Sequence, residues 1–161
     1  LDWLMLAALA YKESGLNANI RSERGAVGIM QLLPSTGGEV GIRGARLASL
    51  EGNVEAACRY MRLILDTYFN DPKLDVLNRH LFALAAYNAG PNRVQALRAK
   101  AEAAGLDPNV WFGNVEQLVA NDVGQGPINY VSTIYKYYVA YRFSLPQLEG
   151  KAAAIEAVAQ P

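Results

Sequence analysis

Glu13 is the side chain whose surroundings suit it best to chemistry. It closes an apolar helical face, because Leu6, Leu9, Ala10 and Glu13 recur at spacings of three, four and seven residues. Burial on such a face disfavours the charged carboxylate. The negative end of the helix dipole pushes the same way. Both effects favour a carboxylic acid that keeps its proton near neutral pH, the group that general acid cleavage of a glycosidic bond requires. Periodicity alone favours a plainer role, a solvated helix-end glutamate paired with Lys12 or Arg24, because charged side chains seldom work from within an apolar face.

The residues around Glu13 in the chain reverse that balance. Glu13-Ser14-Gly15 is followed by Arg21-Ser22, by Gly25-Ala26-Val27-Gly28-Ile29-Met30-Gln31 and by Pro34-Ser35-Thr36. Ala86-Tyr87-Asn88-Ala89-Gly90-Pro91 comes much later, and Asn129-Tyr130-Val131, Ile134 and Tyr137-Tyr138 lie near the end. In this order and spacing the set resembles the soluble lytic transglycosylase family, the Slt-like branch of the lysozyme superfamily, over roughly residues 3–143. It is most similar to the subgroup whose catalytic module is joined to a periplasmic solute-binding-like domain. The Glu-Ser pair together with Gly-x-Met-Gln is the specific part of the match; Ala-Tyr-Asn-Ala-Gly alone is less so.

The resemblance implies a role for each matching position. Glu13 is the sole catalytic acid and base. Ser22 is the hydroxyl near the N-acetyl group of the muramoyl sugar. Met30 and Gln31 line the cleft beside the glutamate, Tyr87 and Asn88 face it, and Tyr130 closes the site. Each residue also has an ordinary reading. Ser22 reads as a loop or cap hydroxyl, Met30 as core filler, Gln31 as a cap of its own turn, Tyr87 and Asn88 as a helix end, and Tyr130 as one ring of an aromatic stripe. The chain departs from the family in one place. Gly126 and Pro127 stand where a glutamate and a threonine usually precede Tyr-Val, so the details of substrate positioning differ from the family's.

The elements that must position these residues read as helices throughout. A first helix ends at Gly15, and residues 16–24 are loop. Residues 25–33 form a short helix or turn halted by Pro34, and residues 35–50 read as loop. Asn53 serves as the N-cap of a helix with the stripe Val54, Ala57, Met61, Leu65 and Tyr68. Leu77, Leu81, Leu84, Ala85 and Asn88 share a face of the next helix, which ends at Gly90-Pro91. An alanine-rich basic helix then runs to about Ala104. Asp107-Pro108 opens a helix over 109–121, and Pro127 starts the last one. The expected fold is all-α, a compact lysozyme-like domain of about seven helices. Residues 1–145 form the catalytic domain and 146–161 an alanine-rich C-terminal tail.

Composition narrows the function. Fifteen basic and fifteen acidic residues among 161 give zero net charge, which speaks against nucleic acid as a partner. One cysteine, Cys58, and one histidine, His80, leave no multi-cysteine metal site and little scope for a histidine triad. No metal or other cofactor is expected. The family's reaction splits the bond between N-acetylmuramic acid and N-acetylglucosamine of peptidoglycan and leaves a 1,6-anhydro ring, with glycan strands as the partner of a monomer in the bacterial periplasm or cell envelope. The N-terminus has no basic segment of a signal peptide, so an export signal or anchor is expected outside this chain. Two rival functions are a muramidase that uses water, with Asp66, Asp71 or Asp75 as helper carboxylate, and a weakly catalytic peptidoglycan-binding module.

Overall fold

A computed structural model describes the backbone of residues 2–159 and the side chains of residues 2–151. Eight α-helices account for most of it: α1 (Trp3–Ser14), α2 (Pro34–Glu39), α3 (Gly44–Ala48), α4 (Leu50–Thr67), α5 (Val76–Ala89), α6 (Pro91–Lys100), α7 (Glu116–Val123) and α8 (Gln125–Ala159). Among the described residues there is no strand, only two isolated bridges, Arg21 with Val27 and Val27 with Leu32. The all-α expectation holds.

α5 is the centre of the packing. Its residues from Leu81 to Ala86 are buried on every side, the signature of a helix enclosed by others. It packs on α4, α6 and α8, while α1 lies along α8. Phe82 of α5 stacks on Phe69 with centroids 5.6 Å apart and meets the edge of Trp111 at 5.6 Å. This layer fixes the floor from which the chemistry-bearing ends of α1, α5 and α8 project.

α1 starts where Asp2 accepts a hydrogen bond from the Leu4 N–H (2.9 Å) and stops at Gly15, whose N–H bonds Tyr11 O. Residues 25–33 form a turn rather than a helix, since Val27 exchanges backbone hydrogen bonds with Leu32. Residues 35–50 are not loop but carry α2 and α3. Pro34 is the first residue of α2 rather than the end of an earlier helix, as its fixed φ allows.

Asn53 does not cap α4. Ser49 does, accepting from Gly52 N–H at 3.2 Å. Asn53 lies one turn inside the helix, fully buried, with its carboxamide saturated. Its Oδ1 accepts from Met30 N–H (2.8 Å), and its Nδ2 donates to Val27 O (3.0 Å) and Leu47 O (2.9 Å). Gly28 makes room for it: a Cβ there would sit 2.5 Å from Asn53 Cγ, and its φ of +79° excludes most side chains as well. Asp107 likewise opens no helix. Its Oδ1 accepts from Asn109 N–H in a local turn. Gly113 at φ +71° breaks the chain before α7 starts at Glu116. α8 passes through Pro146 and stays helical to Ala159; residues 160–161 of the expected tail lie outside the described residues.

The Asn53 network gives a stability prediction. Asn53→Ala strands one buried N–H and two carbonyls, each costing about 1–3 kcal/mol. Chemical denaturation should show a loss of about 3–5 kcal/mol, and the melting temperature should fall by roughly 10 °C. A loss under about 1 kcal/mol would mean that the network is not what fixes the 27–32 turn.

Candidate active site

The end of α1 carries Glu13 to the rim of a pocket of about 180 Å³. Gln31, Leu32 and Leu33 of the turn and Thr36 of α2 line it. Tyr60 of α4 and Tyr87 and Asn88 of α5 line it as well. Tyr130 reaches Glu13 from α8, 117 residues away in the chain, and its phenol donates a hydrogen bond to Glu13 Oε1.

Burial of Glu13 raises its pKa above the ordinary 4.5, and the Tyr130 bond and the Lys12 charge pull it back only in part. The shift is therefore toward the protonated acid, the state that can donate. Burial first, and the Glu13 charge second, push the Tyr87 and Tyr130 phenols well above their usual range. Both remain hydrogen-bond donors.

The 28–31 turn lacks regular structure, and side chains from three helices hold its backbone. Ser14 Oγ donates to Ile29 O (2.8 Å), Tyr87 Oη donates to Met30 O (2.9 Å), and Asn53 takes the Met30 N–H. Gln31 has φ +47°, a conformation that costs a residue with a Cβ about 1 kcal/mol or more. Its Nε2 donates to Gly28 O (2.8 Å) and Ile20 O (3.2 Å). Both amide hydrogens are used, so the side-chain carbonyl oxygen is what Gln31 has left uncommitted.

Of the residues singled out from the sequence, Glu13, Gln31, Tyr87 and Asn88 line one pocket, and Tyr130 touches Glu13. The Met30 side chain is 1% exposed and packs in the core; its peptide group serves the site's framework. Ser22 Oγ accepts from Ala26 N–H at 3.0 Å within its own turn and is not a lining residue. The helper carboxylates of the muramidase reading are engaged elsewhere. Asp66 pairs with Arg62 and Arg79, Asp71 with Arg98, and Asp75 caps α5. At the family's departure, Gly126 sits in the first turn of α8 with open space where a Cβ would project.

Sequence reasoning missed Leu32, Leu33, Thr36 and Tyr60. Thr36 fell in a segment read as loop. Tyr60 stands beside Met61 on the α4 stripe, where an aromatic ring looks like core. Its position one turn after Ala57, at the edge of the buried face, is the only signal the chain offers.

An all-α domain with one half-buried carboxyl, its pKa raised, at a pocket lined by tyrosines is a lysozyme-like architecture. The solved structures agree. The chain superposes on lytic transglycosylase Slt of Pseudomonas aeruginosa, a Glu-to-Gln variant described as inactive, with TM-score 0.67 and 25% identity over 91% of this chain and 22% of that one. It superposes on the 70 kDa soluble lytic transglycosylase of Escherichia coli with TM-score 0.68 and 24% identity, covering 90% and 22%. The transglycosylase SLT domain model matches residues 1–109, and the chain belongs to that family. Membrane-bound lytic murein transglycosylase F of Pseudomonas fluorescens is 32% identical over 168 residues, 96% of this chain and 34% of the relative. Its counterpart in Shewanella woodyi is 34% identical over 151 residues, 86% and 31%. The chain spans about a third of the length of these curated relatives.

The raised pKa of Glu13 has a signed consequence for stability. A carboxyl with a folded-state pKa above its unfolded value favours folding while it is protonated. That contribution is complete below the unfolded value, near 4.5, and is lost as pH rises through the folded one. Glu13→Gln keeps an uncharged group at every pH. Melting curves of the two proteins should coincide at low pH and separate as pH rises, with Glu13→Gln the more stable. Separation in the opposite sense would show that the carboxylate is the favoured form.

Proposed function

We propose that this domain cleaves the β-1,4 bond between N-acetylmuramic acid and N-acetylglucosamine of peptidoglycan without consuming water, leaving a 1,6-anhydromuramoyl end. The observation that carries the reading is Glu13, the one carboxyl lining the pocket, where desolvation raises its pKa toward the protonated form. Family membership supports it, as do the relatives named for acting on murein. The Slt variant described as inactive adds weight, since a glutamate-to-glutamine exchange suffices there.

Tyr130 donates to Glu13 Oε1, which leaves Oε2 to carry the acid proton. Glu13 gives that proton to the glycosidic oxygen as the C1–O bond breaks, and the N-acetylglucosamine side departs as an alcohol. The N-acetyl oxygen of the muramoyl sugar stabilises the positive centre at C1. Glu13, now a carboxylate, takes the proton from the same sugar's C6 hydroxyl, whose oxygen bonds to C1. The enzyme ends protonated, as it began. An internal, oriented nucleophile has an effective concentration on the order of 10⁵ M or more, so no second enzyme carboxylate is needed where other glycosidases use two.

The substrate-binding roles follow from what each group has free. Gln31 offers an acceptor, Asn88 an exposed amide, and Tyr87 a fixed aromatic wall. Ser22 keeps its own hydroxyl hydrogen for the N-acetyl group, and Met30 holds the turn beside Gln31. The setting we propose is the bacterial cell envelope, as one module of a longer protein with a solute-binding-like regulatory domain. Among the described residues no helix is long and apolar enough to cross a membrane.

Mass spectrometry of digested sacculi decides the chemistry. Anhydro-muropeptides, one water lighter than reducing-end products, are expected. Glu13→Gln should lower turnover at least about a thousandfold, the scale of losing an essential acid–base group, while still binding sacculi. Products with a free reducing end would establish the muramidase instead. Binding without any solubilisation by the unmutated domain would establish the binding module. Tyr130→Phe removes a bond that lowers the Glu13 pKa, so the alkaline fall of the pH–rate profile should move to higher pH.

A further inference from the structure

The hydroxyl groups around Glu13 are unequally committed. Tyr130 donates to Glu13 itself, and Tyr87 donates to Met30 O. Tyr60 Oη makes no hydrogen bond within the described residues, although it lines the same pocket. Its ring is nonetheless fixed. It stands on α4 between the buried Ala57, Met61 and Ile64 and packs against Tyr87 with centroids 5.6 Å apart and planes tilted by 58°. A rigid ring with an uncommitted phenol is a preorganised donor, and no ordering of the side chain is needed when a ligand arrives.

Lining the same pocket are Thr36, whose hydroxyl also makes no hydrogen bond within the described residues, and Leu33, 40% exposed and presenting an apolar surface to solvent. An apolar surface and two free hydroxyl groups around one pocket match a pyranose, which has apolar C–H faces and a polar edge. Burial, and then the nearby charge of Glu39, hold the Tyr60 phenol above its ordinary pKa, so it remains a donor. The geometry points to Tyr60 as a substrate-binding residue. Its phenol donates to an oxygen of an N-acetylated pyranose lying on Leu33, on the α2–α4 flank of the pocket. The assignment rests on the glycan-cleaving reading of this pocket and adds a contact that neither the motifs nor the acid–base step requires.

Tyr60→Phe keeps the ring and its packing and removes only the donor. The test is the dissociation constant for tri-N-acetylchitotriose by calorimetry, with KM and kcat on soluble glycan strands and a melting curve alongside. Tyr60→Phe should weaken binding and raise KM about three- to tenfold, the range for one hydrogen bond. The wild-type kcat and melting temperature should persist, because the contact is made in ground and transition states alike. Tyr60→Ala should weaken binding further by removing the wall. Unchanged binding and KM in Tyr60→Phe overturn the assignment. So does a fall in kcat alone, which would make Tyr60 a positioning group for Glu13, and so does failure of the wild type to bind the trisaccharide. Tyr60-dependent binding by a wild type that releases no anhydro product would refute the reaction and leave the subsite standing.

Discussion

The carboxamide of Asn53 is the interaction on which the site depends. A turn without regular structure must find partners for its backbone N–H and C=O groups, or bear the cost of burying them unpaired. In the 27–32 turn those partners come from distant helices. Asn53 spends its acceptor on Met30 N–H and both donors on Val27 O and Leu47 O, so one side chain ties the turn to α3 and α4 together. Ser14 and Tyr87 complete the set from α1 and α5. Gln31 is held at an unfavourable φ only because the residues on both sides of it are pinned. The pocket wall facing Glu13 is rigid for reasons that lie beneath it, in a residue that touches no part of the pocket surface.

Glu13 shows the opposite economy. Asn53 is buried and fully satisfied, whereas Glu13 is half-buried with one strong partner, Tyr130, and its carboxylate form is disfavoured. A charge-seeking group placed where charge is costly contributes less to the fold as pH rises, and its titration moves toward the protonated form. The well-satisfied network and the under-satisfied acid are neighbours, and the stability of the first supports the strain of the second. Placing the acid at the last turn of α1, anchored by Ser14 to the same turn, keeps it aligned without neutralising it.

The helical class and most helix positions could be read from periodicity, because the face-forming residues of α1, α4, α5 and α8 recur at helical spacing. What escaped was set by tertiary contact. Asn53 has the residue type of an N-cap and sits near a helix start, but the cap is Ser49; only the folded turn shows why a polar side chain is needed one turn further in. Pro34 reads equally well as a stop or a start, and the short helices it precedes carry too few apolar residues to show a period. In the site, Glu13 looked structural by periodicity and became a candidate acid through the neighbouring motifs. Tyr60 had no motif, and its phenol is distinguished from core only by having no partner. Met30 shows the reverse case, a motif residue whose peptide, rather than its side chain, holds the site together.

For the proposed reaction, a pocket lined by one carboxyl group constrains the second half as firmly as the first. Once the glycosidic bond breaks, the positive centre at C1 needs a nucleophile, and Asp66, Asp71 and Asp75 are committed to arginines and a helix cap. In the proposed reaction a hydroxyl already held within the same sugar outcompetes water at C1, by its high effective concentration and with a base waiting. Burial makes Glu13 a weaker acid but, after it has given up its proton, a stronger base. An intermediate pKa serves both roles better than either extreme. Desolvation raises it, and Tyr130 and Lys12 draw it back. In the proposed mechanism one carboxyl acts twice in a turn of the cycle, and these opposing influences on its pKa suit it to both steps.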